Sequence, residues 1–279
     1  MQNIINDFIK RSLLEDVGSG DITSLACIKK NTKGKIKLIT KESCFISGLF
    51  LAKKIYNFYD KKIQFSPEVN DGDQLKKNDV IFTVKGDQHN ILATERLILN
   101  CMQRMSGITT KTKMFVERIK DLNTIVLDTR KTCPGIRFLD KMAVKIGGGE
   151  NHRYGLYDCI MIKDNHIDFS GGIEKAIRNC REYLKSENKK IKIIIEVRDI
   201  KELNKVLKYG QVDRIILDNF SIQDTQTAIK IVNHQYPLES SGNIDINNIR
   251  EYAMCGVNFI SIGSLTHSVK NIDLSMVCI

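Results

Sequence analysis

The sequence predicts an α/β barrel behind a smaller α+β domain, and three observations lead there. Short runs rich in Ile, Val and Leu recur through the second half and alternate with segments of helical apolar spacing. Polar and charged residues cluster directly after those runs. The first hundred residues carry a different pattern, in which strand-like runs flank a helix-like one.

Taken in order, residues 3–14 read as an opening helix, residues 34–40 and 79–84 as strands, and residues 49–59 as a helix between them. The join to the barrel is expected in the amphipathic stretch 93–120. Barrel strands are expected at 125–127, 159–162, 191–197, 214–217 and 259–262, with covering helices such as 172–184 and 199–209. A near-continuous apolar run such as Ile193-Ile194-Ile195 suits a parallel strand buried on both faces. The polar groups after these runs are Asp128-Thr129-Arg130-Lys131, Lys163-Asp164-Asn165-His166, Asp218-Asn219, Glu239-Ser240-Ser241-Gly242 and Gly263-Ser264. In a parallel barrel they sit at the C-terminal strand ends, where active sites form.

Composition narrows the function. With 279 residues, 42% of them hydrophobic, the chain can bury a real core. No segment approaches the roughly 20 continuous apolar residues of a membrane span. The first residues lack the basic and apolar regions of a signal peptide, so the cytoplasm is expected and a membrane is not. Eight cysteines are scattered singly, without a Cys-x-x-Cys pair, and read as reduced packing residues rather than a metal site or a disulfide framework. The net charge of +10 favours an anionic partner. Much of that excess lies in dispersed pairs such as Lys61-Lys62 and Lys189-Lys190, which suit a solvated surface better than a nucleic-acid face.

The segment from Asp128 to Arg137 places Arg130, Lys131 and Arg137 around a Pro134-Gly135 turn. A guanidinium can grip a carboxylate or phosphate in a two-point fork, and a lysine adds a mobile point charge. A surface turn with incidental charges is the competing reading. Gly147-Gly148-Gly149 precedes His152-Arg153 and allows either close backbone approach to a ligand or a tight return. Lys163 to His166 closes an apolar run and should emerge at the barrel mouth, although a lone histidine such as His166 is more often structural than a base. Glu196 and Asp218 suit ribose hydroxyls, a developing positive charge or magnesium, and either could instead neutralise a lysine. Gly242 and Gly263 resemble late-barrel phosphate sites made by backbone amides.

Together these residues resemble the quinolinate phosphoribosyltransferases, nearly end to end. The motifs that carry the resemblance run from Glu15-Asp16-Val17-Gly18-Ser19-Gly20-Asp21-Ile22-Thr23 through Glu95-Arg96, Leu99-Asn100 and Ser106-Gly107-Ile108 to Asp128–Arg137. They continue with His152-Arg153-Tyr154-Gly155-Leu156, then 162–167, 217–220, 238–244 and 261–266. The resemblance implies an N-terminal α/β sandwich domain over 1–108, an incomplete α/β barrel of the seven-stranded type over 109–265, and a C-terminal tail, about 266–279, packed on the first domain. It implies a decarboxylating transfer of ribose phosphate from phosphoribosyl pyrophosphate to quinolinate, with magnesium and no organic cofactor. It also implies a homodimer or higher homo-oligomer with a shared active site. Arg96 would reach quinolinate from the partner subunit, while Arg130, His152 and Arg153 hold its carboxylates. Lys131 and Lys163 would contact both substrates near the reacting centre, Asp218 would serve ribose and magnesium, Glu196 would bind substrate, and Ser241, Gly242 and Gly263 would cradle the 5′-phosphate. Direct metal ligands are not assigned.

One departure stands out. The family's Glu-Val-Glu is Glu196-Val197-Arg198 here, so that Glu196 takes over part of the role, or Arg198 turns outward, or ribose and metal binding differ. Cys133, where threonine is usual, is a milder change. Two alternatives remain: the phosphoribosyltransferase-like protein associated with molybdate transport, which departs at the Lys-Asp-Asn-His stretch kept here, and a non-catalytic barrel that binds anionic ligands.

Overall fold

The computed structural model describes residues 2–279. The chain runs through α1 (Gln2–Asp16), α2 (Ile22–Cys27), β1 (Lys33–Thr40), β2 (Cys44–Phe45), α3 (Leu49–Tyr59), β3 (Gln64–Pro67), β4 (Gln74–Leu75), β5 (Val80–Asp87) and α4 (Gln88–Arg118). It continues with β6 (Ile125–Leu127), α5 (Arg137–Ile146), β7 (Ile160–Ile162), α6 (Asp164–Ser170), α7 (Ile173–Ser186), β8 (Ile193–Val197), α8 (Ile200–Tyr209) and β9 (Arg214–Asp218). Last come α9 (Ile222–Val232), β10 (Leu238–Ser241), α10 (Ile249–Met254), β11 (Phe259–Ser261), α11 (Ser264–His267) and β12 (Leu274–Cys278). Two compact units divide these residues. One takes the chain up to 113 together with 132–148 and 265–279, and the other takes 114–131 with 149–264.

The first unit holds an antiparallel sheet in the order β12-β1-β5-β3 and a small β2-β4 ribbon. The chain's last strand pairs with its first, from Ile36 opposite Cys278 to Thr40 opposite Leu274. Tyr56, Phe65 and Phe82 form an aromatic cluster over the sheet, with the Phe65 and Phe82 ring centroids 4.8 Å apart. Helix α4 is fixed by short polar side chains. Ser106 Oγ accepts the N–H of Ser47, and Thr109 Oγ1 lies within hydrogen-bond reach of Ser47 Oγ and the Ala143 carbonyl. Gly107 admits no side chain, because a Cβ there would collide with the Lys270 carbonyl. Arg104 forks onto the fully buried Asp140 with two bonds of 2.8 Å.

The second unit is one parallel sheet in the order β6-β11-β10-β9-β8-β7. From β7 to β11 each strand pairs with its successor, and β6 returns to pair with β11, which is the wrap of a barrel. The sheet stays open. A single parallel bridge joins Leu127 to Glu150. Gly148 turns at φ 88, and a Cβ on Gly147 would meet Thr109 and Thr112, so these glycines serve helix packing and a tight return. Side-chain caps start the covering helices: Asp199 accepts the N–H of Glu202, and Ser221 that of Asp224. Among the described residues no helix is long and apolar enough to cross a membrane.

Candidate active site

Ten of the eleven residues singled out from the sequence lie in the second unit, eight of them at or just beyond the C-terminal ends of its parallel strands and two, His152 and Arg153, after the Glu150 bridge. The eleventh, Arg96, lies on α4 of the first unit, exposed in a cavity of about 380 Å³ lined by Phe8, Ser12, Glu15, Asn100 and Arg104 among others.

β6 delivers Asp128, whose carboxylate is wholly buried and accepts the backbone N–H of His152 at 2.8 Å. That bond fastens the segment after Glu150 to the strand end that carries Arg130 and Lys131. Arg130 is half-buried and Lys131 exposed. Arg153, also half-buried, donates to the Cys159 carbonyl at 3.1 Å. Burial first, and then the charge of Arg130, press its pKa down from the ordinary guanidinium value. Two cations held together in partial burial repel one another, which favours binding of an anion at this point.

β7 delivers Lys163 and β8 delivers Glu196, and the two pair at 2.5 Å. Strand register explains the meeting: Ile162 is opposite Ile195, so Lys163, the first residue past β7, comes beside Glu196, which is still within β8. The alternative in which Glu196 neutralises a lysine is therefore realised. His166 turns back, its Nδ1 accepting the Lys163 N–H at 2.9 Å, and caps α6, which is the structural role. β9 delivers Asp218, half-buried and opposite Ser241 on β10. Gly242 follows at φ 97, where a Cβ would strike the Asn219 side chain, so only glycine brings the backbone this close. Gly263 and Ser264 leave β11 beside it in the strand order.

Arg198 turns away from the barrel interior. Its guanidinium forks between Glu202 and Asp168, which are the start of α8 and the end of α6. A side chain that the sequence did not single out is Arg214, the first residue of β9, which pairs with the buried Glu239. A cation directly before the buried Ile215-Ile216-Leu217 run was the available signal.

This geometry defines a class before it defines a family: an open α/β barrel with a cationic mouth, two carboxylates on neighbouring strands, and a glycine-lined end. Comparison with known proteins then supplies the family. The quinolinate phosphoribosyl transferase C-terminal domain matches residues 108–277, and the N-terminal domain of the same family matches residues 21–106. A nicotinate-nucleotide pyrophosphorylase of Arabidopsis thaliana is 38% identical over 96% of this chain and 81% of its own length. A probable nicotinate-nucleotide pyrophosphorylase of Bacillus subtilis is 36% identical over 99% of this chain and 92% of its own. The solved nicotinate-nucleotide pyrophosphorylase of Francisella tularensis superposes with a TM-score of 0.93 at 38% identity, covering 100% of this chain and 97% of that one. The chain belongs to the quinolinate phosphoribosyltransferase family.

Proposed function

We propose that this chain transfers the phosphoribosyl group of phosphoribosyl pyrophosphate to the ring nitrogen of quinolinate, releasing pyrophosphate and carbon dioxide and leaving nicotinate mononucleotide. The carrying observation is the Arg130 and Arg153 pair, two half-buried cations whose mutual repulsion a dianionic acid relieves. Membership of the family supplies the reaction.

In this reading Arg130 and Arg153, with His152 behind them, hold the carboxylates of quinolinate, and Arg96 of a partner subunit adds a further cation. Lys131 and Lys163 draw the two anionic substrates together. As Lys163 turns to substrate it releases Glu196, which with Asp218 faces the ribose. Departure of pyrophosphate leaves an oxocarbenium-like sugar, and the two carboxylates stabilise its charge. The pyridine nitrogen attacks and becomes cationic; when the adjacent carboxylate departs as carbon dioxide its electron pair stays on the ring carbon, stabilised by the neighbouring positive nitrogen, and that carbon then takes up a proton from water. Ser241, Gly242 and Gly263 cradle the 5′-phosphate with backbone amides. No group of three or more metal-binding side chains exists among the described residues. Two carboxylates on adjacent strands fit magnesium that arrives on pyrophosphate with its own oxygen ligands, and Glu196 and Asp218 would hold it. The ion supplies charge neutralisation of the leaving pyrophosphate. No organic cofactor takes part in these steps.

The cytoplasm is the assigned compartment. Eight free cysteines suit a reducing milieu, although the Arabidopsis relative is named chloroplastic. A shared-site homo-oligomer is supported by the exposed apolar residues Leu14, Ile22 and Leu25 in the first unit. Two inactive variants, Arg96→Ala and Lys163→Ala, should regain activity when mixed if the site is shared, and an unmixed monomer would contradict it. Arg130→Ala tests the site itself: activity is expected to vanish while circular dichroism and thermal midpoint stay unchanged, and an active variant would overturn the reading.

A further inference from the structure

The side chain of Glu239 has no solvent exposure and lies in the middle of the parallel sheet, a costly position unless it is paired. It is paired from two sides. Arg214 Nη1 donates to Oε2 at 2.9 Å, with its guanidinium 3.7 Å from the centre of the Phe259 ring, and His152 Nε2 stands 3.4 Å from the same oxygen. Burial alone would raise the Glu239 pKa. His152, Arg214 and the Ser261 hydroxyl overcome that and hold it below the ordinary carboxylate value.

The second ring nitrogen of His152 is also engaged within the protein. The backbone N–H of Arg153 donates to Nδ1 at 2.6 Å. A nitrogen that accepts a hydrogen bond carries no proton, so in the neutral ring the proton sits on Nε2 and faces Glu239. Asp128 holds the backbone of the same residue from the other side. A column therefore runs from Phe259 and Arg214 through Glu239 and His152 to the backbone of Arg153, and ends at the cation pair of the acid-binding half of the site.

We propose that Glu239, backed by Arg214, is a positioning residue for quinolinate: it fixes His152 in the Nε2–H form, and His152 holds the backbone of Arg153 so that its guanidinium stays beside Arg130. His152 then acts on the acid through Arg153 and does not touch it with a ring nitrogen. This rests on the assignment of the Arg130 and Arg153 pair to quinolinate, and it refines the role that the resemblance gives His152.

The test is a long-range proton–nitrogen spectrum of the histidine rings in the ¹⁵N-labelled full chain, with the His152 signals identified by their loss in His152→Gln. The expected result in wild-type protein is a protonated Nε2 and a pyridine-like Nδ1, both unmoved by saturating quinolinate alone. Glu239→Gln should alter that pattern and raise the KM for quinolinate on the order of ten-fold or more, while the KM for phosphoribosyl pyrophosphate holds. A proton on Nδ1, ring signals that shift when quinolinate binds, or equal loss for both substrates would overturn the proposal. The wild-type spectrum needs no variant to fold. Failure of wild-type protein to form nicotinate mononucleotide would strike the functional reading instead, and leave the ring assignment in free protein standing.

Discussion

Replacing Arg153 by alanine separates binding from stability in a way the structure makes quantitative. The guanidinium is half-buried, and its charge is disfavoured first by that burial and then by Arg130. Removing it deletes one bond to the Cys159 carbonyl, worth about 1 kcal/mol, and relieves part of a repulsion. The thermal midpoint should therefore move by no more than about 4 °C, since about 1 kcal/mol corresponds to about 2–4 °C in a chain of this size. Quinolinate loses a charged donor at its carboxylates, about 1.5–3 kcal/mol. That is about a 10- to 150-fold weaker dissociation constant at about 1.4 kcal/mol per decade. Calorimetric titration with quinolinate alone, beside a thermal melt, measures both. Unchanged quinolinate affinity with an intact fold would refute the assignment of the cation pair, and so would a collapsed melt with affinity lost for both substrates alike.

Three further outcomes follow from other parts of the molecule. Asp140→Asn breaks the buried fork with Arg104 and should cost roughly 3 kcal/mol, seen as a midpoint lowered by about 6–12 °C; an unchanged melt would contradict it. Asp121 is held at a pKa of about 2 by its hydrogen bonds from Arg250, below the ordinary 3.8. Because the folded value is depressed, this pair stabilises the fold above pH 3.8 and that contribution is lost as pH falls through about 2. Carboxyl NMR should find the low value in wild type and a return toward 3.8 in Arg250→Ala. Arg198→Glu restores the family's residue but places a third carboxylate beside Asp168 and Glu202. Its melting midpoint should fall, and fall more at low salt than at high salt; a midpoint indifferent to both changes would mean that the fork contributes nothing.

The barrel strands were legible because apolar runs bounded by charge are what a doubly covered parallel strand requires. Ile193-Ile194-Ile195 and Ile215-Ile216-Leu217 are buried as their composition demands. The run expected at 191–197 forms its strand from Ile193 to Val197, two residues later than its start. The β2-β4 ribbon was not legible, because two-residue strands carry no periodicity. At the site, strand ends predicted which side chains gather, and register then paired Lys163 with Glu196. The partners of Arg198 could not be read, because Asp168 and Glu202 meet it from two different helices. Glu239 showed itself in sequence only as one polar residue among several at a strand end. Its place between Arg214 and His152 depends on three strands and a loop closing over one point.

The central claim is tested most directly by the fate of one carbon. Quinolinate labelled in the carboxylate next to the ring nitrogen, incubated with the full chain, phosphoribosyl pyrophosphate and magnesium, should release labelled carbon dioxide in step with nicotinate mononucleotide. Omitting either co-substrate or the metal should stop release. Folded protein that binds quinolinate yet releases no label under the complete conditions would contradict the account.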